Sequence, residues 1–339
     1  MRRRALNSAR AVLAPLLPDD YLELIDPLWF GPELRGRIER IVPETAAAAT
    51  VLIRPGVGWG GHRPGQYLRI GVVIDGIYHW RAYSLTSEPD PADGCIAITP
   101  KLVEAGKVSR YLVRDAKPGD AVRLGGIEGT FVLPDPAPEK LLFISAGSGI
   151  TPIAGMLQQL SRQQAVGDVV HVHSARSAET VIFGERLRQL QAAQPGFDLR
   201  LRITSEQGRL APPHLDEICP DWRQRHAFAS GPGEMLDDLS EHWQRQGDPA
   251  LLSMERFQPR VGGVDVGGAG GTVRLLESGV EAECDGATPI LAAGEEAGAV
   301  LPFGCRMGIC HTCVGELREG RVRDLRTGEV HGSEGEMVR

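Results

Sequence analysis

Long apolar runs are missing from these 339 residues, and none approaches the roughly 18–20 needed for a helix to cross a bilayer. Runs of Lys and Arg are missing too. With a formal net charge of −7, no nucleic-acid partner is expected. No internal repeat appears, which sets aside solenoids and propellers. Cysteine is scarce and unevenly placed: Cys305, Cys310 and Cys313 crowd together, while Cys95, Cys219 and Cys284 are scattered. That usage excludes a disulfide framework and fits a reducing compartment with one metal site. What remains is an ordinary globular mixture, 42% hydrophobic and 24% charged, long enough for two or three domains.

The charge is asymmetric. Residues 272–339 hold seven Lys/Arg against twelve Asp/Glu, whereas the first eighteen carry Arg2, Arg3, Arg4 and Arg10 and no acid. Opposite ends of this kind suit oriented docking, although solvated faces produce the same asymmetry. The basic start, followed by Ala11, Val12 and Leu13, is signal-like for a moment. Pro15, Pro18, Asp19 and Asp20 interrupt it, so it reads as uncleaved and the protein as cytoplasmic. The same segment could lie on the inner face of an anionic membrane, each basic residue contributing about 1 kcal/mol. A disordered basic tail is the plainer alternative.

Texture divides the chain. Residues 1–33 form a basic segment ending in Pro-punctuated turns. Residues 34–136 alternate in period two, over 37–41, 50–54, 66–73, 79–85, 95–99 and 120–124, and predict an antiparallel barrel. Residues 138–258 place apolar strands at 141–145, 169–174, 199–204 and 227–230 between helical patterns at 152–164 and 185–193. That alternation predicts a parallel α/β sheet. Residues 259–271, PRVGGVDVGGAGG, read as a Gly-rich tether, and an acidic module fills 272–339.

Three stretches carry chemistry. In the barrel, Arg81-Ala82-Tyr83-Ser84 supplies an aromatic face, a hydroxyl and a cation, the needs of a flavin ring and its phosphate. An ordinary strand with an exposed Arg would look the same. Gly106, Val108 and Ser109 then open a helix predicted at 110–113, and a helix start with a hydroxyl suits a pyrophosphate, hence FAD rather than FMN. In the α/β region, Gly147, Ser148, Gly149, Ile150 and Thr151 form a Gly-rich turn between strand and helix. Ser230, Gly231 and Pro232 form a second turn at the carboxyl edge of the sheet, where open α/β sheets bind ligands. Arg176, with Arg209 as helper, is a candidate for a 2′-phosphate and so for NADPH over NADH; two solvated arginines account for them equally. Near the end, Cys305, Cys310 and Cys313 give C-x4-C-x2-C, the plant-type [2Fe–2S] spacing, with zinc or a plain core as the lesser readings.

In this order the motifs resemble the ferredoxin–NADP reductase superfamily with a fused C-terminal plant-type ferredoxin. Residues 16–257 are similar to actinobacterial partners of membrane stearoyl-CoA Δ9-desaturases, through Leu17-Pro18-Asp19-Asp20-Tyr21, Glu33-Leu34-Arg35-Gly36-Arg37, His79 to Ser87, and Met254-Glu255-Arg256-Phe257. The resemblance implies a multidomain fold: an antiparallel β-barrel flavin domain, an α/β parallel-sheet nicotinamide domain and a β-grasp-like ferredoxin domain. It implies that Arg81, Tyr83 and Ser84 contact FAD, with Gly106, Val108 and Ser109 at its pyrophosphate and Gly147 to Thr151 at the nicotinamide cofactor. Tyr83, Ser84 and Ser230 are the candidate catalytic residues, and Cys305, Cys310 and Cys313 the metal ligands. Hydride would pass from nicotinamide to flavin, and single electrons through the cluster to an acceptor protein. A desaturase is the expected acceptor; a soluble mono- or dioxygenase is the alternative, and a diaphorase-like flavin reductase the third reading. Two departures stand out. Ser230 replaces the Cys of a Cys-Gly-Pro turn, and no Cys follows Cys313 where the family's fourth ligand falls, so a stable cluster is doubtful in these 339 residues. Cys284 is expected to pack rather than to substitute.

Overall fold

The computed structural model describes residues 28, 34–104, 106–257, 270–286, 288–302, 313–325 and 329–338. The basic N-terminal segment, nearly all of the Gly-rich tether, Cys305 and Cys310 lie outside the described residues. The chain divides into two compact units. One runs to Tyr78 and resumes over Tyr83–Glu255; the other joins His79–Ala82 with Arg256 onward.

The first unit opens with an antiparallel sheet of β1 (Arg35–Thr45), β2 (Ala48–Pro55), β3 (Tyr67–Ile74), β4 (Ile77–Ser84), β5 (Ile96–Ile98) and β6 (Ala121–Glu128), ordered β4-β3-β6-β1-β2-β5. Its two edges meet where Leu85 bridges Ile98, which closes a barrel. Alternation does what the sequence promised: Ile38, Val51, Ile53, Leu68, Ile70 and Val122 turn inward and pack with Leu85, Val108 and Leu112. The helix expected at 110–113 begins earlier, as α1 (Lys107–Arg110), and continues as a wider π-helical turn over Tyr111–Asp115.

The α/β part of the same unit contains β7 (Lys140–Ala146), α2 (Ile150–Arg162), β8 (Asp168–Ala175), α3 (Gly184–Ala193), β9 (Phe197–Ile203), β10 (His226–Gly231), α4 (Gly233–Gln246) and β11 (Leu252–Arg256). The sheet order is β11-β10-β7-β8-β9, with β10, β7, β8 and β9 paired in parallel. Both faces are covered, so the strands read as near-continuous apolar runs. Phe143, Phe197 and Phe228 pack on one face with Ile153 and Leu157 of α2, and Leu142, Ile144 and Val172 on the other with Leu236 and Trp243 of α4. The fifth strand, β11, escapes the sequence reading, because its half-exposed LSMER lacks such a run.

The barrel and the sheet share a core: Ala48, Phe131 and Leu133 join the cluster of Phe143, Ile153 and Met156. Gly65 makes this possible. It holds φ at +95°, and a Cβ there would lie 1.9 Å from Phe131 O and 2.6 Å from Met156 Cε. At the amino edge of the sheet, buried Arg225 pairs with Asp168 at 2.6 Å and Asp221 at 2.7 Å.

In the second unit, β12 (Gly271–Leu275) and β13 (Val280–Cys284) form a hairpin beside α5 (Ile290–Glu296). Then come β14 (Gly315–Leu317), β15 (Val322–Arg323), β16 (Val330–His331) and β17 (Glu336–Val338), paired β14 with β17 and β15 with β16. Among the described residues, no helix is long and apolar enough to cross a membrane.

Candidate functional site

Strand β4 carries the predicted flavin residues. Arg81 donates from Nη1 to the Trp80 carbonyl at 2.8 Å. Tyr83 leans on the barrel core, half-buried. Ser84 is buried, and its hydroxyl has no hydrogen-bond partner among the described residues. Facing it is a residue the motif reading missed, Glu255 on β11. Burial lifts the Glu255 carboxyl to about 8, with the Ser84 hydroxyl pulling the other way. The residue as a whole is half-buried, but its Oε2 is fully enclosed and also lacks a partner within hydrogen-bonding geometry. Near neutral pH Glu255 therefore holds a proton beside Ser84. Only its place in the Met254-Glu255-Arg256-Phe257 stretch singled it out in the sequence.

The turn before α1 differs in detail from the expectation. Ser109 Oγ donates to the Gly106 carbonyl at 3.1 Å and accepts from the Val103 N–H at 3.2 Å. The hydroxyl thus holds the turn, and Val108 points into the barrel core. The Gly106 N–H is itself bonded to the Val103 carbonyl at 2.9 Å, so the turn closes on itself. Gly106 lets the turn pack this tightly, since a Cβ there would lie 2.5 Å from Ser109 Oγ.

At the carboxyl edge of the parallel sheet the structure gathers both predicted nucleotide turns. Gly147 sits in the left-handed region at φ +55°. Gly149 approaches β10 so closely that a Cβ would meet Ser230 O at 2.1 Å and Gly231 N at 2.8 Å. Thr151 Oγ1 donates to the Ser148 carbonyl at 3.0 Å, fixing the start of α2. Ser230 is fully buried, in register with Ser145, and its hydroxyl has no partner among the described residues. Pro232 immediately precedes α4. Lys101, which the motif search passed over, places Nζ 3.5 Å from where a Gly147 Cβ would be. Arg176, just past β8, is exposed and makes no ion pair among the described residues, whereas Arg209 is tied to Glu234 at 2.7 Å. A cleft of about 1020 Å³ in the same unit, lined by Glu44, Thr50, Thr86, Gln158, Phe183 and Arg186, includes none of the predicted site residues.

Of the cluster cysteines, Cys313 is described and half-buried, two residues before β14. Cys284 closes β13, its Sγ donating to the Thr288 carbonyl at 3.0 Å, and burial raises its thiol above the usual range. In this structure the thiol is thus partnered within its own turn.

Residues 60–133 match the oxidoreductase FAD-binding domain, 143–241 the oxidoreductase NAD-binding domain, and 273–337 the 2Fe-2S iron–sulfur cluster binding domain. A protein of Mycobacterium tuberculosis named NADPH oxidoreductase is 48% identical over 326 residues, covering 95% of this chain and 85% of that protein. The chain belongs to the ferredoxin–NADP reductase family, with a C-terminal [2Fe–2S] domain. More distant is the ferredoxin reductase component of 3-ketosteroid-9-alpha-monooxygenase from Mycolicibacterium smegmatis, 28% identical over 299 residues, 83% of this chain and 81% of that one. Among solved structures, phthalate dioxygenase reductase shares the fold, with a TM-score of 0.59 at 20% identity, covering 90% of this chain and 97% of that one.

The site of this reductase fits the cofactors its family carries. Ser84 Oγ and Glu255 Oε2 lie buried side by side with no hydrogen bond of good geometry among the described residues, a donor and an acid of the kind a flavin edge would use. Ser230 Oγ, Gly147 and Gly149 do the same for a pyridine nucleotide. FAD, a nicotinamide nucleotide and a [2Fe–2S] cluster are its cofactors.

Proposed function

We propose that this reductase takes reducing equivalents from NADPH and passes single electrons through its iron–sulfur domain to a membrane-bound acyl-CoA desaturase. Bound FAD supplies the conversion of a two-electron hydride donor into one-electron steps. Tyr83 would offer its ring to the flavin, Ser84 a hydrogen bond at its edge, and Glu255 a proton held or released beside Ser84. Arg81 would meet the flavin phosphate, and the turn at Gly106 would bring the backbone N–H groups of Val108 and Ser109 to its pyrophosphate. Gly147 to Thr151, Ser230, Gly231 and Pro232 would frame the nucleotide, and Arg176 its 2′-phosphate. The observation that carries the reading is the set of buried oxygens that lack a hydrogen bond of good geometry among the described residues: Ser230 Oγ at the nucleotide turn, and Ser84 Oγ and Glu255 Oε2 side by side on β4 and β11. Such groups are costly unless a ligand satisfies them.

The preference for NADPH rests on Arg176, exposed and without an ion pair among the described residues, and on the name of the mycobacterial relative, NADPH oxidoreductase. A charge-assisted contact to a 2′-phosphate contributes about 1.5–3 kcal/mol, so Arg176→Ala should weaken NADPH about tenfold or more and leave NADH unchanged. Equal loss for both nucleotides would remove that contact. The desaturase rests on the stretches within residues 16–257 named above. A soluble oxygenase is the second reading, favoured by relatives named as reductases of glycine betaine and 3-ketosteroid monooxygenases. Reconstitution with a desaturase in vesicles and, separately, with a soluble oxygenase component decides the acceptor: turnover of the oxygenase alone would overturn the desaturase reading.

A further inference from the structure

Beneath the nucleotide turn lies a cluster that none of the motifs includes. Ser145, on β7, places Oγ 2.8 Å from His171 Nε2 and 2.7 Å from His173 Nδ1, and all three side chains are fully buried. His171 and His173 are two residues apart on β8, so they share one face of the sheet, with Ser145 beside them in register with His173. Ser230 flanks Ser145 on the other side.

A hydroxyl has one proton, so Ser145 donates to one ring and accepts from the other. The two histidines are thereby locked into complementary tautomers. When Ser145 donates to His173 Nδ1, His173 carries its own proton on Nε2 and His171 Nδ1 is bare; when the chain reverses, those two outer nitrogens exchange roles. Both outer nitrogens are buried, and neither has a hydrogen-bond partner among the described residues. Burial first, and then the charge of Lys101, hold His173 down at about 4, while burial and His173 hold His171 well below its ordinary value, so both rings are neutral. Lys101 thus links two observations: its charge reaches His173, and its Nζ stands over Gly147 at the start of the turn that leads into α2.

We propose that Ser145, His171 and His173 form a tautomeric positioning array for the pyridine nucleotide, with His173 responding to the nucleotide's diphosphate through Lys101 and the Gly147 turn. The array rests on the nucleotide reading of that turn. With no anion present, the Lys101 charge biases His173 toward one tautomer; a diphosphate seated at Lys101 and the helix start offsets that charge and reverses the bias. No bond to the nucleotide changes. In the reversal one ring passes its inner proton to Ser145 Oγ as Ser145 passes its own to the other ring; the first ring then takes a proton from water at its outer nitrogen during local opening and the second gives its outer proton to water, so both rings stay neutral.

The test uses the flavin-loaded protein with NADP⁺ as ligand. Ser145→Ala removes the link with little change in volume, and Ser145→Thr restores a hydroxyl. In Ser145→Ala the dissociation constant for NADP⁺ by calorimetry should rise about tenfold, with kcat for NADPH-driven flavin reduction nearly unchanged, and Ser145→Thr should recover much of the loss. Nitrogen-15 spectra of labelled histidine should show NADP⁺ exchanging the tautomers of the two rings in the wild type and not in Ser145→Ala. Wild-type tautomers indifferent to NADP⁺, or Ser145→Ala binding as tightly as wild type, would overturn the array while leaving the nucleotide site intact. A wild type that binds no NADP⁺ would instead overturn the nucleotide reading itself, and the array with it.

Discussion

Up to Glu255 the chain is held by three clusters of buried side chains, with Trp222, Trp243, Phe143 and a row of Ile and Leu fully enclosed. Among the described residues beyond Gly270, the buried hydrophobics are Ala282, Ala293, Ala299 and Leu317. A buried CH₂ contributes about 0.8 kcal/mol, so three alanines and a leucine make a thin core. The first unit can be expected to keep its shape whether or not its cofactors are bound. The second, with so few buried hydrophobics among its described residues, can be expected to draw folding energy from its metal site, as small metal-bound domains do.

The largest expected effect follows directly. Cys310→Ser, or iron chelation, should expose the amides of residues 271–338 to rapid hydrogen exchange while those of β7 to β10 stay protected. Flavin reduction by NADPH should persist, and electron delivery to a one-electron protein acceptor should collapse. Unchanged exchange in 271–338 would mean that the thin core suffices without metal.

A steric break comes next, in the thick-cored unit. Gly149→Ala drives a Cβ to 2.1 Å from the Ser230 carbonyl oxygen, backbone against backbone, so β10 must move. Overpacking of this kind costs about 1–3 kcal/mol. It should appear as NADP⁺ affinity weakened about tenfold or more, with FAD content and cluster absorbance unaltered. Retained affinity would show that the two turns can separate without consequence.

Acid offers a third contrast. Burial holds His62, His171, His173 and His242 below their ordinary values, so the unfolded chain takes up protons that the folded one refuses. Stability of the first unit is therefore lost as pH falls from about 6.5 toward the folded value of about 4 for His173. His173 alone should cost about 2 kcal/mol by pH 5. Calorimetry between pH 7 and 5 should show the first unit's transition moving down; a flat profile would contradict the buried, neutral assignment. Glu255 acts in the opposite sense. Its raised carboxyl stabilises the fold fully below about 4.5, and that contribution is lost as pH climbs through about 8, so Glu255→Gln should gain on wild type between pH 6 and 9.

Much of this was legible beforehand, and the exceptions share a cause. Period-two alternation placed β1 to β6 to within a few residues, and apolar runs placed β7 to β10, because both patterns follow from which face meets the core. The Gly-rich turns were legible because only glycine tolerates such approaches. Side-chain commitments were not. Ser109 looks like a ligand donor until its hydroxyl is seen closing its own turn, and Arg209 looks free until Glu234 is seen beside it. Glu255 and Lys101 have ordinary neighbours in sequence, and only long-range folding brings them to Ser84 and Gly147. The array around Ser145 lies hidden within strands that otherwise read as plain core.

The smallest expected effect lies in the thin-cored unit, and its sign is opposite to that of the buried histidines. His331 Nδ1 lies 2.7 Å from Glu336 Oε1, on the surface, in the segment that includes β16 and β17. The contact raises the His331 value, so its contribution is fully present below about 6.5 and is lost as pH rises through the raised value. The same contact lowers the Glu336 value, so that share is present above about 4.5 and is lost as pH falls through the lowered one. The pair is therefore at its best between these limits, the range in which the first unit is weakening. Exposed pairs contribute little, so the shift will be small, and its direction is what matters. Followed by the loss of cluster absorbance on heating, the second unit's midpoint should drop slightly from pH 6 to 8 in the wild type. His331→Gln should abolish that slope, because glutamine cannot gain the charge. A variant with the same slope as wild type would show that the pH response of this unit comes from elsewhere, and the contrast with the buried histidines would lose its titrating partner.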